Sequence, residues 1–201
     1  MPLPHLALLV LDAQPTFLDS IPDGDALGDD IRFAVAAARA LDIRVVFTEQ
    51  RPDKLGPTRT DIRKAAPGAP VLAKSAFSAF LADGFDTWIR ENDISHLLIA
   101  GLETPVCVYQ TVLGALAEGI DVTVLTDAVR GRRPGDHEAI LRVLEKKSEC
   151  HLLPSEAVFY SILGDASAPA FKALTTLVKE RGKKPPRRAS ASPRRKKSGV
   201  K

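Results

Sequence analysis

Three residues of this chain have side chains that could perform nucleophilic chemistry together: a thiol, a carboxyl group and an ammonium group. Cys107 lies in the segment GLETPVCVYQT (101–111), just after an apolar run, and Asp12 and Lys74 each follow another apolar run. A thiolate is a nucleophile, a carboxylate can act as its base, and an ammonium group can orient and stabilise the charges. These residue types therefore predict a cysteine nucleophile, provided that the fold brings them together.

The residues around Cys107 predict the start of a helix. Thr104 can cap this helix, Pro105 suits its first position, and Cys107 then falls at the third. A thiolate there faces unpaired N–H groups and the positive end of the helix dipole. The dipole contributes on the order of 0.3–1 kcal/mol, whereas lowering a pKa by one unit takes about 1.4 kcal/mol. An activated Cys107 therefore needs a charged partner or a base, for which Asp12 and Lys74 are the candidates.

Each of these residues also has a plainer interpretation. A lone cysteine in a parallel α/β protein is more often a small buried apolar residue than a catalyst. By itself, Asp12 is compatible with a loop cap or a metal ligand, and Lys74 with a solvated surface charge. Spacing alone does not show that the side chains of Asp12, Lys74 and Cys107 meet.

The elements that must position these residues alternate along the chain. Short apolar runs predict strands at Leu6–Leu11, Arg44–Thr48, Val71–Ala73, Ser95–Ala100, Val122–Thr126 and His151–Leu153. Helical periodicity predicts helices at Ala26–Leu41, Gly84–Glu91, Pro105–Glu118, Gly135–Ser148, Ser155–Tyr160 and Pro169–Arg181. Strands that are apolar on both faces and separated by helices predict a three-layer α-β-α fold with a doubly wound, mainly parallel sheet.

In a doubly wound sheet, ligands bind beyond the carboxyl ends of the strands, near the point where the strand order reverses. The polar residues at those ends are Asp12, Thr48, Glu49, Lys74, the segment Glu103 to Cys107, and Asp127. The sequence contains no glycine-rich nucleotide-binding motif, no phosphate-binding loop and no G-x-S-x-G turn. We therefore expect neither a cofactor nor a serine nucleophile.

Composition and charge divide the chain into a body and a tail. The 201 residues are 45% hydrophobic, which predicts one domain with a sizeable core. Residues 183–201 hold nine Lys or Arg and no acidic residue; subtracting nine from 28 leaves 19 basic against 25 acidic residues, a net charge of −6 for the rest. The sequence thus predicts a domain over residues 1–182 and a basic, disordered tail over residues 183–201.

The number of cysteines and the N-terminal sequence indicate the cellular compartment. The two cysteines have no C-x-x-C spacing and are too few for a disulfide framework, which favours a reducing compartment. The first apolar run is too short for a signal peptide or a membrane span. We therefore expect a cytoplasmic protein.

Three segments resemble the isochorismatase-like cysteine hydrolases, in the order in which that family has them. ALLVLDAQPTF (7–17) resembles the first strand with its catalytic Asp, and VLAKSAFSAF (71–80) resembles the segment with its Lys. GLETPVCVYQTVLGALAEGIDVTVLTDAV (101–129) resembles the segment with the nucleophile and the strand that follows. The resemblance covers residues 6 to about 180 and implies the isochorismatase-like hydrolase fold.

The resemblance implies a catalytic triad of Asp12, Lys74 and Cys107. In this scheme Cys107 attacks a carbonyl or similar carbon, Asp12 takes the thiol proton and returns it to the leaving group, and Lys74 stabilises the charges. A covalent thioester-type intermediate results. The resemblance also implies a cis peptide between Leu102 and Glu103, and an oxyanion hole formed by the backbone N–H groups of Glu103 and Cys107.

Two further segments narrow the branch of the family. FTEQRPDKLGPT (47–58) and LLPSEAVFYSILGDASAPAFKAL (152–174) resemble the isochorismatase domain-containing, YcaC-like branch, whose members largely lack an assigned substrate. The nicotinamidase branch carries an Asp-x-His-x-x-His metal cluster after its second strand, and this chain has no histidine there. We therefore predict no bound metal. True isochorismatases typically lack the cysteine, so cleavage of a vinyl ether is also disfavoured.

Other polar and aromatic residues could line the pocket. The candidates for substrate binding are Glu49, Gln50, Phe77 and Thr104. Alternatives are a helix cap or ion-pair role for Glu49, core packing for Phe77 and helix capping for Thr104. Cys150 has no acid or base near it in sequence, so we predict a structural role. The segment RGRRPGDHEA (130–139) is compatible with an anion-binding loop or with an ordinary solvated loop.

Two functions from different classes stay open on the sequence. The first is a metal-independent cysteine hydrolase of a small amide, carbamoyl or related acyl substrate. It predicts that iodoacetamide labels Cys107 faster than Cys150 and that Asp12→Asn slows this labelling. The second is a non-catalytic protein of this fold whose basic tail binds nucleic acid or another polyanion without sequence specificity. A solubility role or a localisation signal would explain the same tail. The resemblance further implies a homo-oligomer, a dimer or larger.

Overall fold

The computed structural model describes residues 5–183 of the protein. Its strands are β1 (Leu6–Leu11), β2 (Arg44–Gln50), β3 (Val71–Lys74), β4 (His96–Leu102), β5 (Asp121–Arg130) and β6 (Cys150–Leu153). Its α-helices are α1 (Pro15–Leu18), α2 (Gly24–Ala40), α3 (Pro52–Leu55), α4 (Thr60–Lys64), α5 (Phe85–Glu91), α6 (Tyr109–Ala117), α7 (Pro134–Leu144), α8 (Ser155–Leu163) and α9 (Phe171–Gly182). A 3₁₀ turn covers Ala79–Leu81, and a π-helical turn covers Thr104–Val108.

The strands form one parallel sheet in the order β3-β2-β1-β4-β5-β6. The predicted α-β-α fold with a doubly wound sheet is therefore confirmed. The chain builds outward from β1 to β3, then returns to the other side of β1 with β4. Loops after β1 and β4 consequently diverge and leave a crevice between them, which is where such sheets bind ligands.

Both faces of the sheet are covered, as the continuous apolar runs of the strands require. In β1, Leu8 and Val10 pack into the core beneath α2, α8 and α9. Ala7, Leu9 and Leu11 point the other way, into the core beneath α5, α6 and α7. Successive residues of a strand face opposite sides of a sheet, so a strand buried on both sides must be apolar throughout.

The sequence did not predict the short helices between β1 and β3. The helices α1, α3 and α4 contain only four or five residues each, too few for a helical period to stand out. Both α1 and α3 have a proline in their first turn, and proline favours the start of a helix because its backbone angle φ is already helical. These helices matter because they lie in the connections that border the crevice.

The last described helix, α9, ends at Gly182, and only Lys183 of the predicted tail lies within the described residues. The predictions for the rest of 183–201 concern residues outside the described part of the chain. Between residues 5 and 183, no helix is both long enough and apolar enough to cross a bilayer.

Candidate active site

Asp12 lies in the crevice, directly after β1. Its backbone is in the left-handed region with φ of 51°, and its N–H donates to the Thr48 carbonyl at 3.1 Å. The Thr48 hydroxyl donates to Asp12 Oδ1 at 2.9 Å. The end of β2 thus fixes both the backbone and the fully buried carboxyl group of Asp12.

Lys74 is the last residue of the edge strand β3, and its side chain reaches back across β2. Its Nζ lies 2.6 Å from Asp12 Oδ2 and 2.6 Å from Gln50 Oε1, and it also donates to the Ala76 carbonyl at 3.3 Å. The side chain of Lys74 is fully buried. A buried ammonium group requires such acceptors, and the Asp12 carboxylate supplies the compensating charge.

Cys107 completes this group of three. Lys74 Nζ donates to Cys107 Sγ at 3.5 Å, and Cys107 is 5% exposed. Burial and, to a smaller extent, the charge of Asp12 raise the pKa of the Cys107 thiol to about 12, although the charge of Lys74 acts in the opposite direction. The structure therefore brings the three predicted side chains together, with the thiol protonated at neutral pH. Their catalytic roles stay predictions.

The approach to Cys107 depends on a glycine that the sequence analysis overlooked. Gly101 has φ of 119°, and a Cβ atom at this position would lie 2.0 Å from the Leu11 carbonyl oxygen. Only glycine lets β4 pass this close to the end of β1. The peptide bond between Leu102 and Glu103 is cis, as predicted from the resemblance. We call residues 102–107 the nucleophile loop.

The start of the helix after the nucleophile loop differs from the prediction. Glu103 is at the N-cap position without a side-chain cap, and a π-helical turn begins at Thr104. Pro105 and Cys107 are therefore its second and fourth residues, one position later than predicted. The predicted capping role of Thr104 is wrong, because its hydroxyl pairs instead with His137 Nδ1 at 2.9 Å.

Gln14 is a further residue that sequence reasoning missed. Its Oε1 accepts from the Gln50 backbone N–H at 2.8 Å, and its Nε2 donates to the carbonyls of Gln50 at 3.1 Å and Gly56 at 2.6 Å. Gln14 thereby ties the loop after β1 to the end of β2. Its position two residues after Asp12 gives no pattern that would have revealed this role.

Three of the four candidates for substrate binding already have protein partners. Gln50 accepts from Lys74 and donates to the Ser75 carbonyl at 2.8 Å. Glu49 is buried and accepts from the Thr58 backbone N–H at 2.7 Å. Thr104 pairs with His137, as described above. Substrate contacts by these residues stay predictions.

Phe77 differs from the other three candidates. Its side chain is 51% exposed, three residues beyond Lys74. The alternative that it simply fills the core is therefore wrong. A role for Phe77 as one wall of the pocket stays a prediction.

Two residues that the sequence analysis considered, Asp127 and Cys150, lie away from the group of Asp12, Lys74 and Cys107. Asp127 is inside β5 and binds the N–H and hydroxyl of Ser155 and the guanidinium of Arg181. Cys150 is buried in the core beneath α5, α6 and α7, where burial raises the pKa of its thiol to about 11. The structural role predicted for Cys150 is confirmed by this position.

The segment 130–139 lies beside the nucleophile loop. A cleft of about 290 Å³ there is lined by Glu103, Pro105, Val106, Arg132, Arg133 and Asp136. Arg132 Nε donates to Glu103 Oε2 at 2.9 Å, so the guanidinium already has a carboxylate partner. The anion-binding interpretation of this segment stays a prediction.

The described residues offer no evident metal centre. Between residues 5 and 183, no three His, Cys, Asp or Glu side chains converge in a way that could hold a metal ion. The prediction that the site needs no metal therefore continues to rest on the sequence pattern after β2.

Comparisons with known proteins agree with the fold. A family model described as "Isochorismatase domain" matches residues 6–156. The isochorismatase domain-containing protein 2 of Bos taurus is 36% identical over 143 residues, which are 71% of this chain and 68% of that protein.

Solved structures extend this similarity over more of the chain. The MAR1 ribonuclease of Caenorhabditis elegans is 28% identical with a TM-score of 0.81, over 94% of this chain and 99% of that one. The YcaC protein of Escherichia coli, described as an octameric hydrolase of unknown specificity, is 20% identical with a TM-score of 0.82, over 90% and 92% of the two chains. The likeness to YcaC concerns the fold alone.

Proposed function

The chain belongs to the isochorismatase family, and on that premise we propose that it is a metal-independent cysteine hydrolase of a small amide, carbamoyl or related acyl substrate. Membership of this family supports a hydrolase function. The observation that carries the proposal is the position of Lys74 Nζ, 2.6 Å from Asp12 Oδ2 and 3.5 Å from Cys107 Sγ. A buried thiol beside a carboxylate and an ammonium group has both a base and a charge partner.

The first half of the reaction forms an acyl-enzyme. Asp12 accepts the thiol proton as Cys107 Sγ bonds to the carbonyl carbon, and the carbonyl oxygen takes the negative charge. The bond from carbon to the leaving group then breaks, and Asp12 returns its proton to that group. An amide would release ammonia or an amine and leave a thioester on Cys107.

The second half hydrolyses the thioester. A water molecule gives a proton to Asp12 while its oxygen bonds to the acyl carbon. The C–S bond breaks, the acid is released, and the proton returns to Cys107. Lys74 keeps its charge throughout and stabilises, in turn, the carboxylate and the sulfur anion.

The raised pKa of Cys107 agrees with this order of events. A thiol with a pKa of about 12 is protonated before substrate binds. The proton therefore has to leave as the S–C bond forms, and Asp12 is the adjacent group that can take it. The proposed oxyanion donors are the backbone N–H groups of Glu103 and Cys107, and one such donor is commonly worth about 3–4 kcal/mol in the barrier.

The space around the site favours a small substrate. Cys107 is only 5% exposed, so there is little room at its sulfur. A cleft of about 320 Å³ beside Lys74 is lined by Arg51, Pro52, Asp53, Ala73, Lys74 and Ser75, and its lining includes neither Asp12 nor Cys107. We include Phe77, Glu49, Gln50 and Thr104 in the proposal as substrate-binding residues.

A screen of small amides, carbamoyl compounds and thioesters tests the proposal. Release of ammonia, acid or thiol should occur with the wild-type protein and fall at least about 10³-fold in Cys107→Ala, since the nucleophile is removed. Cys150→Ala is the matched control and should keep its turnover. An unchanged rate in Cys107→Ala would refute the proposed nucleophile.

The alternative, a non-catalytic protein that binds polyanions through its tail, is not favoured by these relatives. It depends on residues 183–201, all but one of which lie outside the described part of the chain. Because the neighbour from Caenorhabditis elegans is described as a ribonuclease, RNA belongs in the same screen. Deletion of residues 183–201 should leave hydrolysis unchanged. Retention on nucleic acid at low salt that disappears with the deletion would support the alternative.

We also propose that the chain forms a homo-oligomer. The support is the similarity in fold to YcaC, which is described as octameric. Light scattering after size-exclusion chromatography should give a mass of at least twice 21.7 kDa. A monomeric mass across micromolar concentrations would contradict this.

A further inference from the structure

Two consecutive residues of the nucleophile loop are held by side chains from outside the proposed triad. Arg132 Nε donates to Glu103 Oε2 at 2.9 Å, and His137 Nδ1 lies 2.9 Å from Thr104 Oγ1. Both partners come from the segment that leads into α7 and from its first turn. One short stretch of chain thus holds the loop at two adjacent points.

A close backbone approach accompanies these two contacts. A Cβ atom at Gly131 would lie 2.8 Å from Pro105 Cδ, so glycine lets this segment pack directly against the nucleophile loop. Arg132 comes directly after Gly131, and His137 lies in the first turn of α7. The packing therefore fixes where their side chains can reach.

Burial shows that the two contacts are not ordinary surface pairs. Thr104 is fully buried, and His137 and the carboxyl group of Glu103 are each less than 10% exposed. A buried hydroxyl or carboxylate is costly to leave without a partner, so each contact constrains its residue strongly. Arg132 is largely exposed and supplies its charge from the cleft side.

We propose that Arg132 and His137 are positioning residues that hold the nucleophile loop in the geometry that binds the oxyanion. This inference rests on the proposed function, because Glu103 and Cys107 are the proposed oxyanion donors. Arg132 fixes the residue that carries the first donor. His137 fixes Thr104, which begins the turn that carries the second.

Arg132 also has an electrostatic role in this proposal. The buried Glu103 carboxylate belongs to the same residue as a proposed oxyanion donor, and a negative charge there would oppose the charge that develops on the substrate oxygen. Arg132 neutralises it. Loss of Arg132 alone should therefore reduce the acetylation of Cys107 more than loss of both charges together, because it leaves the buried Glu103 carboxylate without its partner.

His137 can hold Thr104 as a neutral imidazole. Burial lowers the pKa of His137, and the charge of Arg130 lowers it further. A neutral imidazole has one donor and one acceptor nitrogen, and either can satisfy the Thr104 hydroxyl. An Asn side chain can place a polar atom near the position of Nδ1, whereas Leu cannot, which gives a matched pair of variants.

Two reactions of Cys107 separate loop geometry from thiol reactivity. Acetylation by p-nitrophenyl acetate passes through an oxyanion, whereas alkylation by iodoacetamide occurs at a saturated carbon and forms none. The acetylation rate is measured as the release of p-nitrophenolate that Cys107→Ala lacks, because the enzyme can hydrolyse the acetyl thioester, and the alkylation rate is measured at Cys107 by peptide mass spectrometry. The ratio of the two rates is compared with that of N-acetylcysteine. No knowledge of the natural substrate is needed.

We expect the ratio of acetylation to alkylation to exceed that of N-acetylcysteine in the wild type. It should fall about tenfold in Arg132→Ala and in His137→Leu, since small misplacements of oriented groups reduce rates on this scale. His137→Asn and the double variant Arg132→Ala/Glu103→Gln should recover most of the loss. Arg142→Ala, which removes an arginine that pairs with Glu138 on α7, should keep the wild-type ratio.

Several results would overturn the inference. An unchanged ratio in Arg132→Ala and His137→Leu would show that the loop does not need these residues. Equal losses in both reactions would indicate a general disturbance of Cys107, and a wild-type ratio equal to that of N-acetylcysteine would exclude an oxyanion site. The proposed function fails separately, if Cys107→Ala keeps its turnover in the substrate screen.

Discussion

Lys74 and Arg181 are both cations held by buried or partly buried carboxylates, yet their surroundings differ in one essential way. Lys74 bridges Asp12 and the thiol of Cys107 in the crevice between β1 and β4. Arg181 Nη2 lies 2.6 Å from Asp127 Oδ2 and 2.9 Å from Asp30 Oδ1, and its guanidinium stacks 4.6 Å from the ring centre of Phe33. The Lys74 group contains a nucleophile, whereas the Arg181 group joins α9 to β5 and α2.

The chemistry of each side chain suits its position, Arg181 between three elements of the fold and Lys74 beside a thiol. Arginine presents a rigid planar fork that matches carboxylates and stacks on aromatic rings, so Arg181 locks three elements in place. Lysine is a compact charge with three donors, and Lys74 can therefore stabilise a neighbouring sulfur while it holds Asp12. A buried ionic cluster is by itself no sign of function; a reactive group beside it, at the switch point of the sheet, is what distinguishes the Lys74 group.

The largest expected difference concerns the two carboxylates. Asp12→Asn should reduce turnover about 10³-fold, because no other group of the triad can move the proton to the leaving group. Asp127→Asn should leave turnover within about twofold. Steady-state rates with a substrate from the screen check both, and a similar loss in both variants would remove the functional distinction between the clusters.

Asp12→Asn should also lower the pKa of the Cys107 thiol, even though it reduces turnover. In the wild type, titration of the Cys107 thiol, followed by the ultraviolet absorbance of the thiolate against Cys107→Ala, should reach no plateau between about pH 7 and 10, since the pKa of this thiol is about 12. Because the Asp12 charge raises this pKa, Asp12→Asn should shift the profile to lower pH. The expectation from sequence that Asp12→Asn slows iodoacetamide labelling stays a prediction, because it concerns the transfer of the thiol proton to Asp12 and not the pKa. An unshifted or higher titration profile would contradict the predicted shift.

Replacing each cation by methionine gives the next largest effect. Lys74→Met and Arg181→Met should each lower the free energy of unfolding by about 3 kcal/mol, since both leave carboxylates without their charge partner. Only Lys74→Met should also reduce turnover, by about 10²-fold, because its charge stabilises the carboxylate and the sulfur anion. Urea unfolding and activity of the folded variants test this. Full activity of Lys74→Met would show that the lysine, like Arg181, serves only the fold.

The smallest effect concerns the hydroxyl groups that support the carboxylates. Thr48 donates to Asp12 Oδ1 at 2.9 Å, and Ser155 donates to Asp127 Oδ2 at 2.6 Å. A hydrogen bond to a charged group is worth about 1.5 kcal/mol, so Thr48→Val should reduce turnover about tenfold. Ser155→Ala should lower stability by a similar free energy without changing turnover. If Thr48→Val affects stability alone, its bond to Asp12 has no part in the reaction.

Much of the fold was predictable because each strand carries its own signal. The apolar runs from Leu6 and Arg44 give the strands, and their alternation with helical periods gives the layers. The short helices were missed because four residues contain about one helical turn. Thr104 was misassigned because a capping hydroxyl and a hydroxyl that binds a distant imidazole look identical in sequence.

The sequence by itself determined the reactive residue types and their order, because strand ends can be read from local patterns and three segments resemble one family. Only the tertiary structure decided which strand ends meet: it placed Lys74 across β2 from Asp12 and left Asp127 with Arg181. It also decided that His137 and Arg132 hold the nucleophile loop. Such contacts depend on strand order and on side-chain distances, and neither quantity is encoded in the spacing of residues along the chain.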